Sequence, residues 1–324
     1  MDVATTCNGD NAKRLLLNIG KYVGTIYIDD FEVYYMKKAN KIPLTDEEKK
    51  DTLTLAMNKW IDGMMEACDG KVKAWDVVNE ALSGADKDGD GKYDLQSAVR
   101  GNVSAEDAAN NFYWQDYLGD LDYVRTAVKA ARESFAAHNG NPEDLKLFIN
   151  DYNLESDWDQ NGKLKSLIQW IKDWEADGVT KIDGIGSQMH ISCYGKPQTQ
   201  ESKKNAIVNM LKLMAESGKL VRISELDMAY VDETGKSVNT NDMTEEQHKQ
   251  MRELYEFVIK KYFEIIPEAQ QWGICQWCPT DSPANSGWRA GAPTGLWDKD
   301  YYRKHTYGGF AAGLGAPEYW NDAK

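Results

Sequence analysis

From about residue 45 onward, the hydrophobic positions alternate between helical spacing and short continuous apolar runs. The capping sequence Thr45-Asp-Glu-Glu48 precedes a predicted helix that extends to about Cys68. Five apolar runs predict buried strands at 71–79, 145–150, 181–189, 220–226 and 271–277. Further helices are predicted at about 117–138, 161–177, 201–217, 244–263 and 302–314. This alternation predicts a parallel α/β sheet with crossover helices.

The first 35 residues follow a different pattern, in which apolar and polar positions alternate and turn residues intervene. Residues 12–35 therefore predict an antiparallel hairpin. A lone hairpin is marginally stable in water, so we expect this piece to pack against something else or to end a larger β-sandwich. We place a domain boundary between residues 38 and 39, with a short β piece before it and the α/β region at 39–324.

Polar residues collect where each predicted strand ends: Asn79-Glu80, Asn150 to Asn153, Gln188 with His190, Glu225 with Asp227, and Trp277 with Asp281. Any one of them has a structural explanation, such as a hydrogen-bonded core histidine or an amide that ends a strand. In a parallel α/β barrel, however, catalytic groups lie at the carboxyl ends of different strands. The repetition therefore favours one common site, with Glu80 and Glu225 as a carboxylate pair.

Composition bounds the class of protein and the class of partner. With 324 residues, of which 42% are hydrophobic, the chain is long enough to bury one large core. The formal net charge of −14 disfavours nucleic acid and anionic membrane surfaces, since both would be repelled. A neutral substrate fits better. The 11 Trp and 17 Tyr residues are explained either by core packing or by sugar stacking.

The five cysteines do not form the spacing of a disulfide framework. Cys275 and Cys278 have the CxxC form, but they lie within a predicted strand, which disfavours a redox or zinc role. No apolar run is long enough to span a membrane, and polar residues follow Met1, so no secretory signal is predicted.

An acidic segment at 86–94 imitates a calcium-binding loop. Asp86, Asp88, Asp90 and Asp94 occupy ligand positions of such a loop, but Ser97 stands where a bidentate glutamate is expected. Two interpretations remain open, a calcium site at these four aspartates or a solvated acidic loop. No other cofactor is predicted.

Several segments together carry a family resemblance: Trp75-Asp-Val-Val-Asn-Glu80, Ile149-Asn-Asp-Tyr-Asn153, Gly184-Ile-Gly-Ser-Gln-Met-His190, Ile223-Ser-Glu-Leu-Asp227, and Gly273-Ile-Cys-Gln-Trp277 with Asp281-Ser282 and Trp288. These segments resemble the signatures of glycoside hydrolase family 10, the retaining endo-β-1,4-xylanases. They occur in the family's order across about residues 42–314.

The resemblance implies a role for each matching residue. Glu80 resembles the general acid/base, and Glu225 resembles the nucleophile. Asn79 resembles the amide that binds the sugar 2-hydroxyl, while His190 with Asp227 resembles the pair that orients the nucleophile. The remaining matches line the cleft: Gln188 on the wall near His190, Trp277 and Trp288 around the sugar before the cleaved bond, and Tyr152 on the leaving side.

The resemblance also implies a fold and a range of activities. It implies a (β/α)8 TIM-barrel type, here truncated to the last five strand/helix units, with residues 1–38 as the C-terminal remnant of a carbohydrate-binding β-sandwich. Exposed edges of such a partial barrel would be covered in a dimer. Three activities stay open: xylan hydrolysis, β-1,4-glucan hydrolysis, or binding of xylan or xylo-oligosaccharides without turnover. The family implies a secreted or cell-surface protein.

Overall fold

A computed structural model describes residues 21, 23–27, 43–101 and 103–317. The chain divides into two compact units, residues 1–43 and 44–324. The expected hairpin at 12–35 and the β-sandwich remnant at 1–38 lie almost wholly outside the described residues, so both stay predictions. All elements that follow belong to the second unit.

The described residues of the second unit form eight α-helices and six β-strands. The helices are α1 (Asp46–Cys68), α2 (Ala105–Asn110), α3 (Gln115–Leu118), α4 (Asp122–Ala137), α5 (Gly162–Glu175), α6 (Pro197–Glu216), α7 (Glu245–Ile265) and α8 (His305–Gly313). The strands are β1 (Ala74–Asn79), β2 (Lys146–Asp151), β3 (Gly184–Ser187), β4 (His190–Tyr194), β5 (Leu220–Val231) and β6 (Gln271–Gln276). Three 3-10 turns lie at Pro142–Asp144, Thr240–Asp242 and Glu268–Gln270.

The predicted parallel sheet is confirmed, because every pairing between these strands is parallel. The order of neighbouring strands is β1, β2, β3 and β5, and both β4 and β6 also pair with β5. Successive strands therefore lie side by side with helices between them, which is the arrangement of a (β/α)8 TIM-barrel type fold. In the part of the chain that the structure describes, this sheet fills five strand positions, and the number of units in the complete barrel stays a prediction.

Two predicted elements have other bounds in the structure. The strand predicted at 181–189 is only β3, which ends at Ser187, and Met189, with a left-handed φ of 51°, separates it from β4, a strand that was not predicted. β3 pairs with the first part of β5, and β4 pairs with its last part. The two short strands therefore follow one another along β5, with Gln188 at the break between them and His190 at the start of β4. The helix predicted at 117–138 is wrong at its start, because Gly119, with φ 87°, separates α3 from α4.

The sheet is packed on both faces at its centre. Five successive residues of β2, from Leu147 to Asp151, are buried, as the continuous apolar run predicts. Gly186 on β3 lies opposite Asn150 in the register of β2 and β3, and a Cβ atom at this position would collide with the Asn150 side chain. The missing side chain therefore leaves room for a buried amide at the end of β2.

An ion pair joins two strands that are not neighbours. Arg222 on β5 donates to Asp76 on β1, and its guanidinium lies 4.8 Å from the ring centroid of Phe148 on β2. Burial raises the pKa of Asp76, and the charge of Arg222 opposes that shift. The contact therefore links β1 to β5 across the two strands between them, β2 and β3.

Candidate active site

The predicted site residues lie at the carboxyl ends of the parallel strands. Asn79 ends β1 and is followed directly by Glu80. Gln188 and His190 flank the interruption between β3 and β4, whereas Glu225 lies within β5. Because parallel strands end at one edge of a sheet, side chains that are far apart in sequence meet there.

Asn150, which sequence analysis placed among the polar residues at the strand ends but gave no role, lies at the centre of the site. Its Nδ2 donates to Glu225 Oε1 at 2.9 Å and to Asn79 Oδ1 at 2.8 Å. Its Oδ1 accepts a hydrogen bond of 2.6 Å from the Ser224 hydroxyl. The side chain is buried and its orientation is fixed from three directions, so it holds the amide of Asn79 and the carboxylate of Glu225 at a set spacing.

A second amide links this network to Glu80. Gln188 Nε2 donates to Glu80 Oε1 at 2.8 Å and lies 3.4 Å from Asn79 Oδ1. The two carboxyl groups are therefore joined through Gln188, Asn79 and Asn150 in one hydrogen-bonded series.

The backbone of Glu80 is held in an unusual conformation. Its φ is 54°, in the left-handed region that non-glycine residues rarely adopt. Its N–H donates to the Asn150 carbonyl at 2.8 Å, and its carbonyl accepts from Gln96 Nε2 at 2.5 Å. Such conformations persist only where the surroundings fix them, and they concentrate at functional sites.

Glu225 is held on its other side by His190. His190 Nε2 lies 3.3 Å from Glu225 Oε2, and its Nδ1 lies 3.0 Å from Asp227 Oδ1. Both contacts are hydrogen bonds only if the ring carries two protons or if one of the two carboxyls is protonated. The arrangement matches the expected association of His190 with Asp227.

Asp227 is itself fully buried and has further partners. Trp288 Nε1 donates to Asp227 Oδ2 at 2.6 Å, and the guanidinium of Arg289 lies 3.6 Å from Asp227 Oδ1. Arg289 also donates to the carbonyls of His190 and Ile191, at 2.7 and 2.6 Å. Arg289 was not predicted, because only the tertiary fold brings it beneath the His190 segment.

Two exposed tryptophans flank His190. The centroid of the Trp288 ring lies 4.6 Å from that of His190, and Trp277 approaches edge-on at 6.0 Å. Trp277 is 51% exposed and Trp288 is 40% exposed, so neither is a core residue. Their position beside His190, which contacts the Glu225 carboxylate, suits the enclosing role that the family resemblance implies for them.

Tyr152 lies on the Glu80 side, with a cation on one face of its ring. Lys163 Nζ lies 3.4 Å from the Tyr152 ring centroid and 2.6 Å from Asp151 Oδ1. Asp151 also accepts from the backbone N–H of Leu82 at 3.1 Å and of Tyr152 at 2.9 Å. Burial and the charges of Asp151 and Glu80 raise the pKa of Tyr152. Lys163 and Asp151 therefore fix both Tyr152 and the segment that follows Glu80.

The acidic segment is separate from this site. The carboxylates of Asp86, Asp88 and Asp90 offer oxygens within 4.8 Å of one another at the surface. Both oxygens of Asp86 already accept backbone N–H groups, from Gly89 at 2.7 Å and Gly91 at 2.9 Å. Asp94 does not join this cluster; its Oδ2 accepts from the backbone N–H of Lys87 at 2.8 Å. A calcium site there stays a prediction for the first three aspartates.

Within the described residues, no helix combines the length and the apolar composition needed to cross a membrane.

Residues 35–312 match the family model described as Glycosyl hydrolase family 10. Over 216 residues, the chain is 30% identical to Endo-beta-1,4-xylanase Xyn10C of Cellvibrio japonicus. The aligned region is 66% of this chain and 30% of that protein. Over 262 residues, it is 29% identical to Endo-1,4-beta-xylanase A of Thermotoga maritima. This aligned region is 80% of this chain and 20% of that protein. The chain therefore spans less than a third of the length of these two relatives.

Solved structures show the same fold. Native xylanase10C from Cellvibrio japonicus matches with a TM-score of 0.63 and 24% identity, over 86% of this chain and 53% of that chain. A GH10 structure from Paenibacillus barcinonensis matches with a TM-score of 0.62 and 25% identity, over 85% of this chain and 70% of that chain.

Proposed function

Because the chain belongs to glycosyl hydrolase family 10, we propose that it is a retaining endo-1,4-β-xylanase with Glu80 as general acid/base and Glu225 as nucleophile. The observation that carries this proposal is the hydrogen-bonded series that joins the two carboxyls through Gln188, Asn79 and Asn150. Two carboxyls facing one sugar-sized gap are the requirement of glycoside hydrolysis by double displacement.

The reaction proceeds in two steps. The Glu225 carboxylate attacks the anomeric carbon while Glu80 donates its proton to the leaving glycosidic oxygen, which gives a glycosyl ester on Glu225 and a free chain end. Glu80, now ionised, then takes a proton from water, and the oxygen of that water displaces Glu225 from the anomeric carbon. Both steps need only the two carboxyls and water, so the proposal includes no cofactor.

The neighbours of the two carboxyls suit these roles. Asn150 and His190 each hold one oxygen of Glu225, which fixes the direction in which the carboxylate attacks. Asn79 receives hydrogen bonds at Oδ1 from two amides, so its own N–H donors face away from those partners and are available to a sugar hydroxyl.

We propose xylan or xylo-oligosaccharides as substrate. The curated relatives named above carry xylanase names, the net charge of −14 favours a neutral polymer, and Trp277 and Trp288 offer exposed aromatic rings beside His190. Since xylan is a polymer met outside cells, we also propose that the protein acts in secreted or surface-bound form. A dimer that covers sheet edges stays a prediction.

A β-1,4-glucanase is the second candidate. One relative, 28% identical over 237 residues, carries the name "Thermostable celloxylanase" from Thermoclostridium stercorarium. The third candidate is a chain that binds xylan without cleaving it.

Assays of the purified chain on xylan and on carboxymethylcellulose separate these three candidates. We expect reducing sugar from xylan, and a loss of about 10³-fold in Glu80→Gln and in Glu225→Gln. Glu133→Gln, on the exposed face of α4, is the matched control and should be unchanged. Release from carboxymethylcellulose alone would support the glucanase, and binding with no release from either polymer would support the third candidate.

A further inference from the structure

Arg289 is fixed by contacts on two sides, next to the break between β3 and β4. Its Nη1 and Nη2 donate to the carbonyls of Ile191 and His190 at 2.6 and 2.7 Å, and Nη1 lies 3.6 Å from Asp227 Oδ1. Its backbone φ is 45°, a left-handed value that persists in a non-glycine residue only where the surroundings fix it. The guanidinium is therefore held at one position relative to His190 and Asp227.

The contacts of His190 leave two positions for one proton. Its Nδ1 lies 3.0 Å from Asp227 Oδ1, and its Nε2 lies 3.3 Å from Glu225 Oε2. If the proton is on Nδ1, the ring is a cation that donates to both carboxylates, whereas a proton on Asp227 leaves a neutral ring that donates only to Glu225. A cationic ring makes the stronger, charge-assisted hydrogen bond. The position of this proton therefore determines how strongly the ionised form of Glu225 is stabilised.

The charge of Arg289 favours the proton on His190. The guanidinium lies beside Oδ1, which is the Asp227 oxygen that would otherwise carry the proton, and Trp288 Nε1 donates to Oδ2 at 2.6 Å. A nearby cation and donated hydrogen bonds both stabilise a carboxylate over a carboxylic acid. Because a guanidinium keeps its charge at any pH at which proteins fold, Arg289 supplies this effect permanently.

We call Glu225, His190, Asp227 and Arg289 the nucleophile cluster. With the proton on His190, the cluster contains two carboxylates and two cations, so its charges balance. In the part of the chain that the structure describes, the ion pairs of Asp227 are with His190 and Arg289, and that of Glu225 is with His190. Removal of the Arg289 charge would leave this largely buried cluster with a net negative charge.

Titratable groups on the other packed elements do not replace Arg289. Arg222 on β5 is already paired with Asp76 on β1, whose carboxyl senses the charge of Glu225. The remaining groups that face the cluster carry no positive charge: Glu80 after β1, Glu155 after β2, Tyr255 on α7 and Cys278 after β6. Burial raises the pKa of the last three.

We propose that Arg289 is a positioning residue that keeps Asp227 ionised and the shared proton on His190, so that the proposed nucleophile Glu225 stays ionised for attack. Arg289 acts through Asp227 and His190. This inference rests on the proposed function, because it concerns the nucleophile of that reaction.

Two variants separate the charge of Arg289 from its hydrogen bonds. Arg289→Lys keeps the charge but loses the planar fork of two nitrogens, whereas Arg289→Gln keeps an amide donor but loses the charge. Arg303→Gln, at an exposed position between β6 and α8, is the matched control. For each folded variant, kcat/KM on xylohexaose is measured as a function of pH.

We expect the acidic limb of this profile to move to higher pH by about one unit in Arg289→Gln, a loss of about tenfold in kcat/KM at a pH below the limb. Without the cation, the cluster takes up an additional proton at higher pH, and a protonated Glu225 does not attack. The limb should stay in place in Arg289→Lys and in the control. An unmoved limb in Arg289→Gln, an equal shift in Arg289→Lys, or a loss that is the same at every pH would overturn the proposal.

Urea unfolding gives a second measurement that does not depend on catalysis. The folded state of Arg289→Gln binds the additional proton more tightly than wild type does, so its stability deficit should grow as pH rises through the carboxyl range. The deficit of Arg289→Lys should be constant. A Gln variant that folds only at low pH is the extreme case of this growth, whereas one that is unfolded at every pH would assign Arg289 to the fold alone and overturn the proposal.

The two proposals fail in different ways. If wild type cleaves xylan but neither the acidic limb nor the stability deficit of Arg289→Gln depends on the lost charge, the Arg289 proposal is wrong and the xylanase proposal stands. If wild type cleaves nothing but the deficit grows with pH in Arg289→Gln and not in Arg289→Lys, the xylanase proposal is wrong and the charge-balancing role of Arg289 stands.

Discussion

The amide nitrogen of Asn150 lies 2.9 Å from the carboxylate of Glu225, and the same nitrogen donates to Asn79 at 2.8 Å. One buried side chain thus sets the position of the proposed nucleophile relative to the end of β1, where Glu80 follows. Gly186 on the neighbouring strand leaves the space that this side chain occupies. The spacing of the proposed catalytic pair therefore depends on the packing of four strands, β1, β2, β3 and β5.

Asn150→Asp should lower kcat/KM on xylan by about 100-fold. The change removes both N–H donors and places a second carboxyl beside Glu225, whose hydrogen bond from Asn150 is of the charge-assisted kind. Steady-state kinetics on xylan measures the loss. Asn205→Asp, an exposed position on α6, makes the same chemical change and should leave the rate unaltered. A rate within twofold of wild type in Asn150→Asp would show that this contact does not support catalysis.

Glu80→Gln should be much less harmful when the leaving group needs no proton. On xylan we expect a loss of about 10³-fold, because the variant cannot protonate the glycosidic oxygen. On a dinitrophenyl xylobioside, formation of the glycosyl ester should stay close to the wild-type rate, followed by slow hydrolysis. Stopped-flow absorbance should then show a burst of dinitrophenolate in Glu80→Gln. An equal loss on both substrates would argue against an acid/base role for Glu80.

Lys163→Met should destabilise the fold by about 3–5 kcal/mol, because it leaves the buried Asp151 carboxylate without its partner. Urea denaturation followed by fluorescence measures the free energy of unfolding. The double variant with Asp151→Asn should recover part of the loss, since the uncompensated charge is then removed. No recovery would indicate that packing, and not charge, accounts for the effect of Lys163→Met.

The same variant should show a defined pH dependence. Burial raises the pKa of Asp151, and Lys163 opposes that shift in the wild-type chain. A carboxyl with a raised pKa in the folded state binds its proton more tightly there than when unfolded, so its contribution to stability declines as pH rises past its ordinary value. Without Lys163 the folded-state pKa is higher still, so the stability deficit of Lys163→Met should grow with rising pH. A deficit that is constant across pH would contradict this account.

The two exposed tryptophans should affect different kinetic constants. Trp277→Ala removes a platform face and should raise KM by about tenfold with little change in kcat. Trp288→Phe keeps an aromatic face but removes the Nε1 donor to Asp227, so it should lower kcat by about tenfold. Michaelis–Menten analysis on xylohexaose separates the two effects. The reverse assignment would show that Asp227 does not act through His190 on Glu225.

Sequence patterns located the strands and the end of the sheet that carries the site, because local hydrophobic period and parallel topology determine both. They did not locate Asn150 at the centre, since its role depends on the register of β2 against Gly186 and on Ser224 from β5. The break between β3 and β4 requires a left-handed Met189, which no local rule predicts for methionine. Gly119 was a visible signal for the later start of α4.

The central claim, that Glu225 is the nucleophile of a retaining reaction, is tested most directly by trapping the glycosyl ester. The chain is incubated with a 2-deoxy-2-fluoro xylobioside that carries a dinitrophenyl leaving group, digested, and mapped by mass spectrometry. We predict one adduct, on the peptide that contains Glu225, and none in Glu225→Gln. An adduct on a different residue, or unlabelled protein that nevertheless hydrolyses xylan, would contradict the assignment.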